Sequence, residues 1–255
     1  MFPQAIVFFF IGLSIGSFLN VCIFRLPEGK SVIKPRSSCS QCGHQLSWKE
    51  NIPLFSYVFQ RAKCFNCGGE ISWIYPIVEL VTGFSLSALF IRFNLTPEFC
   101  VNSVFFCLLI ILIVVDLTNR ILPNALTIGG SMVGVLVAPF QANEILDVSQ
   151  GDYQAAYVAS VLGAIVGGGC LWLVAELYYR IRKEEGLGLG DVKMMLMIGA
   201  FLGWRLAWTT IFIGSILGTV IGGFYIYISG KDRRYELPYG SFLGIASVAI
   251  VIWYP

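Results

Sequence analysis

Charged residues and histidine are scarce in this chain of 255 residues. Only 13% of the residues are charged, whereas 56% are hydrophobic, and this balance excludes an ordinary soluble domain. The net charge of +2 is too small to suggest nucleic-acid binding. The single histidine, His44, excludes a histidine-rich metal site and leaves a Ser/His/Asp triad only one candidate base. The composition therefore predicts an all-α protein that crosses a membrane several times.

Long apolar runs divide the chain. A membrane-crossing helix needs roughly 20 predominantly apolar residues. The candidate runs are 3–24, 77–93, 99–115, 123–140, 153–179, 192–204, 207–228 and 240–253. We therefore predict about eight transmembrane helices. The chain then has three parts: helix one over 1–24, a polar loop domain over 25–76 and a seven-helix membrane domain over 77–255.

Basic residues indicate which side of the membrane each loop faces. Lys and Arg beside transmembrane helices mark the cytoplasmic side, and the loop domain over 25–76 is rich in both. The loop over 141–152 carries only acidic charges, whereas the loop before the last run is basic, with Lys231, Arg233 and Arg234. No basic residue precedes the first run, which therefore differs from a cleaved secretory signal. We predict that both termini lie on the outer side.

Two CxxC pairs, each followed by glycine, lie in the loop domain. The two-residue spacing lets both sulfurs of a pair reach one ion, and the glycine lets the backbone turn beneath it. Four thiolates form a closed tetrahedral site, which is structural rather than catalytic. We predict that Cys39, Cys42, Cys64 and Cys67 bind a zinc ion that keeps the loop domain folded. Two disulfides, or a redox-active pair, are the alternatives, although the cytoplasm is reducing.

Two aspartates stand at the edges of apolar runs. Asp116 ends the third run and Asp191 opens the sixth, so the predicted topology places both at the cytoplasmic boundary. An ionisable residue beside a membrane segment is a functional hypothesis by default. Asp191 has an alternative role as a helix N-cap, whereas Asp116 would meet the negative end of its helix dipole. We predict that the two carboxyl groups share a proton and activate water, as in aspartic proteases.

Glycines precede the second aspartate. Gly188 and Gly190 alternate with leucine before Asp191. The dinucleotide-binding fingerprint would need glycine in place of Asp191 and a strand before the motif, so a phosphate site is not indicated. We predict instead that these glycines form a bare turn against which a substrate peptide can lie. Lys193 either offsets the charge near Asp191 or extends its ammonium group to the membrane interface.

Several motifs, in one order along the chain, resemble those of the bacterial prepilin peptidases. These are leader peptidase/N-methyltransferases of type IV pilus and type II secretion systems. The matching segments are 16–21, 25–27, both CxxC pairs, 50–53, 75–79, 116–118 with Pro123, 188–193 and 238–240. The G-x-G-D portion alone also resembles presenilin-type proteases. The chain departs from the family pattern at Phe24, Ile74 and Ser241, where tyrosine, arginine and proline respectively are common.

The resemblance implies an activity and its residues. It implies that Asp116 and Asp191 are the catalytic carboxylates of an aspartic endopeptidase. The implied substrate is a prepilin or pseudopilin, which has a short basic leader ending in glycine and then an apolar helix that lies in the bilayer. Cleavage after that glycine is followed by N-methylation of the new N-terminal residue with S-adenosylmethionine. The implied location is the bacterial inner membrane, with the catalytic face and the cysteine loop cytoplasmic and the termini periplasmic.

The methyl donor has no recognisable binding motif in the sequence, because no Rossmann-type glycine pattern is present. We hypothesise a pocket between the loop domain and the first two helices, formed by Asn20, Arg25 and Glu79. The alternative is that Arg25 marks the cytoplasmic boundary and Glu79 pairs with it.

Two other functions are compatible with the same pattern. A proton-coupled transporter with a zinc-stabilised cytoplasmic domain would also use a pair of membrane aspartates. A scaffold for a membrane complex would need the cysteine loop but neither aspartate.

Overall fold

The regular secondary structure of the described residues is helical. A computed structural model describes residues 2–141, 143–184, 186–229 and 237–253. Over these ranges the α-helices are α1 (Phe2–Arg25), α2 (Phe55–Phe59), α3 (Ile74–Phe93), α4 (Pro97–Asn119), α5 (Asn124–Val137), α6 (Asn143–Leu146), α7 (Tyr153–Arg182), α8 (Leu189–Leu217), α9 (Gly223–Ser229) and α10 (Tyr239–Trp253). Within the same ranges, β pairing is limited to isolated bridges, Ser38 with Gln45 and Lys63 with Glu70. The predicted all-α class is confirmed.

Five helical stretches in the described part of the chain are long and apolar enough to cross a membrane. They are Pro3–Arg25, Ile74–Phe93, Pro97–Asn119, Tyr153–Arg182 and Leu189–Ser229, and two shorter apolar helices cover Asn124–Phe140 and Tyr239–Trp253. These stretches coincide with the predicted apolar runs, and the chain is a multi-pass membrane protein. The number of eight crossings stays a prediction. The basic residues Lys231, Arg233 and Arg234, on which the predicted orientation partly depends, lie outside the described residues.

The chain divides into two compact units, Met1–Phe99 and Cys100–Pro255. In the first unit, α1 and α3 pack as an antiparallel pair. A Cβ on Gly12 would lie 2.7 Å from Gly83 Cα, and a Cβ on Gly16 would lie 2.7 Å from Glu79 Cα. Small residues allow helix backbones to approach this closely in lipid. The four-cysteine segment therefore leaves and re-enters the helix pair at one end. The three-part domain division of the sequence stays a prediction.

In the second unit, glycines of α7 let it approach α8 at backbone distance. A Cβ on Gly163 would collide with the carbonyl oxygen of Gly199 and lie 2.7 Å from Gly203 Cα. A Cβ on Gly167 would lie 2.9 Å from the carbonyl oxygen of Met195. Because the contacts run in opposite directions along the two sequences, α7 is antiparallel to the beginning of α8.

A glycine interrupts α8. Gly203 has φ 73° and ψ 173°, a conformation essentially restricted to glycine. Met194 and Gly214 lie on either side of this break, and on a straight helix they would be about 30 Å apart. Both nevertheless contact neighbouring residues of α10: a Cβ on Gly244 would lie 3.1 Å from Met194 Cε, and one on Gly214 would lie 3.3 Å from Leu243 Cα. The chain therefore reverses at Gly203, next to the boundary predicted between the sixth and seventh runs.

Replacing Gly163 with alanine should destabilise the second unit, because the new methyl group would force α7 away from α8. Overpacking of this kind costs about 1–3 kcal/mol, and we expect a lower midpoint temperature in thermal unfolding of the purified protein. Gly169→Ala is the matched control: it lies on the same helix, its Cβ would meet open space, and alanine favours helix by up to about 1 kcal/mol. Equal unfolding midpoint temperatures for the two variants would contradict the close packing of α7 against α8 at Gly163.

Candidate functional site

Asp116 lies near the end of α4, where the dipole of its own helix cannot stabilise a negative charge. The residue is 5% exposed. Two hydrogen-bond donors in the first turn of α10 stabilise this buried charge instead. The backbone N–H of Ser241 donates to Asp116 Oδ2 at 2.7 Å, and the Ser241 hydroxyl donates to the same oxygen at 2.8 Å. Because the first N–H groups of a helix have no partner within it, α10 supplies the stabilisation that α4 lacks.

Asp191 lies in the first turn of α8, beyond the N-cap residue Gly188. The alternative interpretation of Asp191 as the N-cap is therefore wrong. Its backbone N–H donates to the carbonyl oxygen of Gly188 at 3.1 Å, and its carboxylate accepts backbone hydrogen bonds from Gly188 and Gly240. The positive end of the α8 dipole adds to this stabilisation. Asp191 is partly exposed, whereas Asp116 is buried.

The two carboxylates converge on Gly240. A Cβ on Gly240 would lie 3.0 Å from Asp191 Oδ1 and 3.1 Å from Asp116 Oδ2. At most about two hydrogen-bond lengths therefore separate these oxygens, which is the reach of one bridging water. The structure thus brings together two aspartates that are far apart in sequence, at one end of the second unit. Two carboxyl groups in this arrangement can share a proton and polarise a water molecule.

Of the residues predicted to support Asp191, only Gly188 is found beside its carboxylate. Gly188 lies beside it, since a Cβ there would be 3.5 Å from Asp191 Oδ2. Gly190 packs against the residues that precede α5. The Lys193 ammonium donates to Asn124 Oδ1 at 2.9 Å, so its observed partner is at the start of α5 rather than the carboxylate of Asp191.

The sulfurs of Cys39, Cys42, Cys64 and Cys67 form one cluster. All four lie within 4.8 Å of one another, with Cys39 to Cys67 at 3.9 Å and Cys42 to Cys64 at 4.0 Å. Four thiolates bound to zinc at about 2.3 Å would be roughly 3.8 Å apart, whereas a disulfide needs about 2.05 Å. All four thiols are free. The cluster therefore fits a metal ion, and the alternative of two disulfides is not supported.

The two halves of the cluster have the same local fold. The backbone N–H of Gly43 donates to the Cys39 carbonyl at 3.0 Å, and that of Gly68 donates to the Cys64 carbonyl at 2.9 Å. Both glycines have positive φ, +71° and +69°, which confirms that each lets the backbone turn beneath its pair of sulfurs.

Backbone N–H groups directed at the sulfurs favour the metal-binding thiolate form. The backbone hydrogen bond from His44 lowers the pKa of Cys42 to about 6. Backbone hydrogen bonds from Cys67 and Asn66 lower the pKa of Cys64. The His44 ring lies outside the cluster, with Nε2 3.4 Å from Glu50 Oε1. Cys67 accepts a backbone hydrogen bond from Gly69, but hydrogen bonds with Cys42 and Cys64 raise the pKa of its thiol to about 11. The segment thus supplies four sulfur ligands, and backbone N–H groups donate to three of them.

Sequence relatives agree with the two-unit architecture. Residues 10–93 match the bacterial peptidase A24 N-terminal domain, and residues 103–223 match the type IV leader peptidase family. The chain is 37% identical over 228 residues to a prepilin leader peptidase/N-methyltransferase of Myxococcus xanthus, covering 89% of this chain and 64% of that protein. Relatives of the same name from Xanthomonas campestris and Legionella pneumophila are each 32% identical, covering 95% and 94% of this chain and 89% and 88% of theirs. The chain belongs to the type IV leader peptidase family. No solved structure is significantly similar to it.

The three residues hypothesised for this family's methyl donor have different partners. Arg25 donates to the carbonyl oxygens of Ser31 and Arg36, at 3.0 and 3.4 Å. Asn20 Nδ2 donates to the carbonyl oxygen of Tyr75 at 3.1 Å, and its Oδ1 is buried without a hydrogen-bond partner. Glu79 accepts from the backbone N–H of Leu54 at 2.8 Å. These contacts tie all three residues to the fold of the first unit, and none of them is the alternative pairing of Glu79 with Arg25.

The first unit contains a cavity of about 560 Å³, and of the three residues hypothesised for the methyl donor only Arg25 lines it. Its lining includes Ser17, Arg25, Arg36, Asn51 and Pro53. This volume lies within the usual range for small-molecule sites, and two guanidinium groups at its wall could pair with a carboxylate. Asn20 and Glu79 are not part of the lining.

Two contributors to the aspartate pair are not predicted from the sequence. Gly240 belongs to the motif over 238–240 and Ser241 departs from the family pattern, but neither position predicts a contact with an aspartate. The signal for both was their place directly before the last apolar run, since a helix that begins there offers free N–H groups. The tertiary structure determines which carboxylate those N–H groups contact.

We expect the purified protein to contain about one zinc ion per chain, because four sulfurs at these distances close one tetrahedral site. Elemental analysis after exhaustive buffer exchange measures it. Cys42→Ser should lower the metal content and make residues 25–76 more sensitive to protease, since the metal holds this small segment folded. Cys100→Ser, an exposed cysteine outside the cluster, is the control. A metal-free preparation with unchanged protease resistance would rule out the site.

Proposed function

We propose that Asp116 and Asp191 are the catalytic pair with which this chain removes the leader from prepilins or pseudopilins. The observation that carries the proposal is the convergence of their oxygens at Gly240. Relatives named prepilin leader peptidase/N-methyltransferase, aligned over nearly the whole chain, support this substrate class and the methyl transfer that follows cleavage.

The reaction uses the asymmetry of a carboxyl pair. Two neighbouring carboxylates repel each other, so one proton is shared between them. The ionised group removes a proton from water, and the water oxygen bonds to the scissile carbonyl carbon. The protonated group donates a hydrogen bond to the carbonyl oxygen as negative charge develops there. When the C–N bond breaks, the proton taken from water passes to the leaving amine, and the pair returns to its initial state.

The surroundings of Asp191 suit an extended substrate. Asp191 is the more exposed member of the pair, and Gly188 beside it is exposed and has no side chain. A leader that ends in glycine could therefore approach the backbone closely here. We propose that cleavage follows this glycine at the cytoplasmic face of the inner membrane, with both termini of the chain periplasmic. The pilin helix that follows would remain in the bilayer.

The first unit would hold the two cofactors. Zn²⁺ bound by Cys39, Cys42, Cys64 and Cys67 would have a closed coordination shell, so its role is structural. S-adenosylmethionine supplies the methyl group when bound, and the cavity lined by Arg25 is its proposed site. Arg25 would pair with the carboxylate of the methyl donor, while Asn20 and Glu79 hold the surrounding backbone. The products would serve a type IV pilus or a type II secretion system.

Asp116→Asn and Asp191→Asn should each slow leader removal by about a thousandfold or more, because either change removes a member of a unit that acts together. Mass spectrometry of a co-expressed prepilin reads leader loss and methyl gain together. Asp147→Asn is the control, since Asp147 pairs with Arg205 and not with the catalytic groups. Both catalytic variants should still methylate a pilin supplied without its leader. Cleavage at the wild-type rate by either variant would refute the catalytic pair.

Gly240→Ala should also impair cleavage, since the added methyl would displace the two carboxylate oxygens that converge there. A shift approaching 1 Å at reacting groups can cost about a hundredfold in rate, so we expect a fall of about tenfold to a hundredfold in kcat. Gly129→Ala, whose Cβ would meet open space, should cleave normally. Normal kcat in the Gly240 variant would mean that the oxygens do not meet at this point.

A further inference from the structure

The polar segment between α1 and α3 carries an apolar surface at α2. Val58, Phe59 and Phe65 are 70%, 82% and 84% exposed. Phe55 is also exposed, and it lines one cavity of about 390 Å³ together with Phe59 and Phe65. These three phenylalanines therefore form one patch and are not scattered singly over the surface. A contiguous apolar patch that is exposed marks a site of interaction with a protein or a membrane.

The short helix α2 turns its apolar side chains to one side. Phe55, Val58 and Phe59 are spaced i, i+3, i+4, which places them on one helix face. Ser56 and Tyr57, on the other side, are partly buried. A helix that faces water normally exposes polar residues, so α2 has the reverse of the pattern expected for a helix surrounded by water.

Contacts with the helix pair show how far this segment reaches along it. The backbone N–H of Leu54, the residue before α2, donates to Glu79 Oε2 at 2.8 Å. Glu79 is in the second turn of α3, about 7 Å along the axis from its first residue. Pro53 lines the cavity of about 560 Å³ together with Ser17, which lies about two turns before the end of α1 at Arg25. The residues that lead into α2 therefore lie beside the helices and not beyond their ends.

The length of α3 fixes where the bilayer begins in the first unit. Its 20 residues span about 30 Å, which is the thickness of the hydrocarbon core. Because α3 has no residues to spare, its first turn lies at the membrane boundary. The backbone bonded to Glu79 lies on the inner side of that boundary. This is the layer, roughly 5–10 Å deep, in which interfacial helices bury their apolar faces.

Charged and aromatic residues around α2 match the chemistry of a lipid surface. Lys49, Arg61 and Lys63 are exposed and lie outside every ion pair found among the described residues. Basic residues in such a position are attracted to anionic lipid headgroups. Trp48 and Trp73 are exposed too, and tryptophan is enriched at the membrane–water interface. The apolar patch is thus bordered by the residue types that hold a protein against a bilayer.

We propose that α2 is an interfacial anchor, whose residues Phe55, Val58 and Phe59 insert into the lipid leaflet at which α3 begins. Phe65 lies beside them in the same layer, and the basic residues around α2 pair with lipid headgroups. The partner of the patch is therefore the bilayer and not another protein. The four-cysteine segment then lies against the membrane surface, continuous with the lipid-facing sides of α1 and α3. The inference does not depend on the proposed peptidase function.

Tryptophan fluorescence in nanodiscs measures the depth of the patch. Phe59→Trp and Phe65→Trp each add one indole where the native side chain is exposed, so the larger ring needs no repacking. The full chain is reconstituted, one copy per disc, in phospholipid with or without bromine on the acyl chains near the headgroup. The fluorescence of the added indole is the difference between the variant and the wild type. Variants are compared after thermal unfolding has shown a wild-type midpoint temperature.

Lys30→Trp is the matched control. Lys30 is an exposed residue of the same polar segment, in the turn that follows α1. Gly16 of α1 lies against Glu79 of α3, so α1 continues about 6 Å past the level at which α3 begins. An indole in place of Lys30 therefore lies in water beyond the membrane boundary.

We expect the indoles of Phe59→Trp and Phe65→Trp to lose about half or more of their fluorescence in brominated lipid, because they lie at the acyl-chain boundary. The control indole, surrounded by water, should lose about a tenth at most. Quenching at both positions no stronger than in Lys30→Trp would overturn the proposal. Shielding of the added indoles from acrylamide in water, without quenching by the brominated lipid, would mean that protein covers the patch, and would overturn it as well.

Discussion

The carboxylate of Asp116 constrains the arrangement of the second unit. An isolated carboxylate buried without partners costs several kcal/mol even after relaxation, and Asp116 is 5% exposed at the unfavourable end of its own helix. Its hydrogen bonds come from Ser241, 125 residues later in the chain. The first turn of α10 must therefore lie on the end of α4. That requirement also brings Gly240 to the point where the two aspartates meet.

Small residues make the rest of this arrangement possible. The break at Gly203 turns α8 back on itself, so that residues on both sides of the break reach α10. The contact of Gly163 with Gly199 holds α7 against the reversal at backbone distance. Close packing of this kind is a main source of helix association where lipid removes the hydrophobic driving force. Placement of Asp191 thus depends on glycines that carry no chemistry of their own.

The polar segment of the first unit is stabilised in a different way. Its polar segment between α1 and α3 is largely irregular, with bridges and short turns in place of a packed core. Four sulfurs close enough to bind one ion can hold such a segment folded, because its apolar residues do not form a packed core. The match of residues 10–93 to one domain family and of residues 103–223 to another agrees with the division into two units. We propose methyl transfer for the first and proteolysis for the second.

Local pattern alone determined several features of this protein. Apolar runs predicted the helices, since burial in lipid requires long stretches without charge, and the CxxC spacing predicted the cysteine cluster because both sulfurs of a pair are constrained by the same short turn. Asp116 was a functional candidate because its negative charge lies at the C-terminal end of a helix, where the helix dipole is unfavourable to it. The three-dimensional contacts were needed to show that Asp191 is not an N-cap and that Lys193 donates to Asn124. They were also needed to show that, of the three residues hypothesised for the methyl donor, Arg25 lines the cavity and the other two do not. The tertiary structure also decided that Ser241 and Gly240 belong to the aspartate pair. These facts depend on which helix ends meet, and helices separated by more than a hundred residues meet through packing that no local pattern encodes.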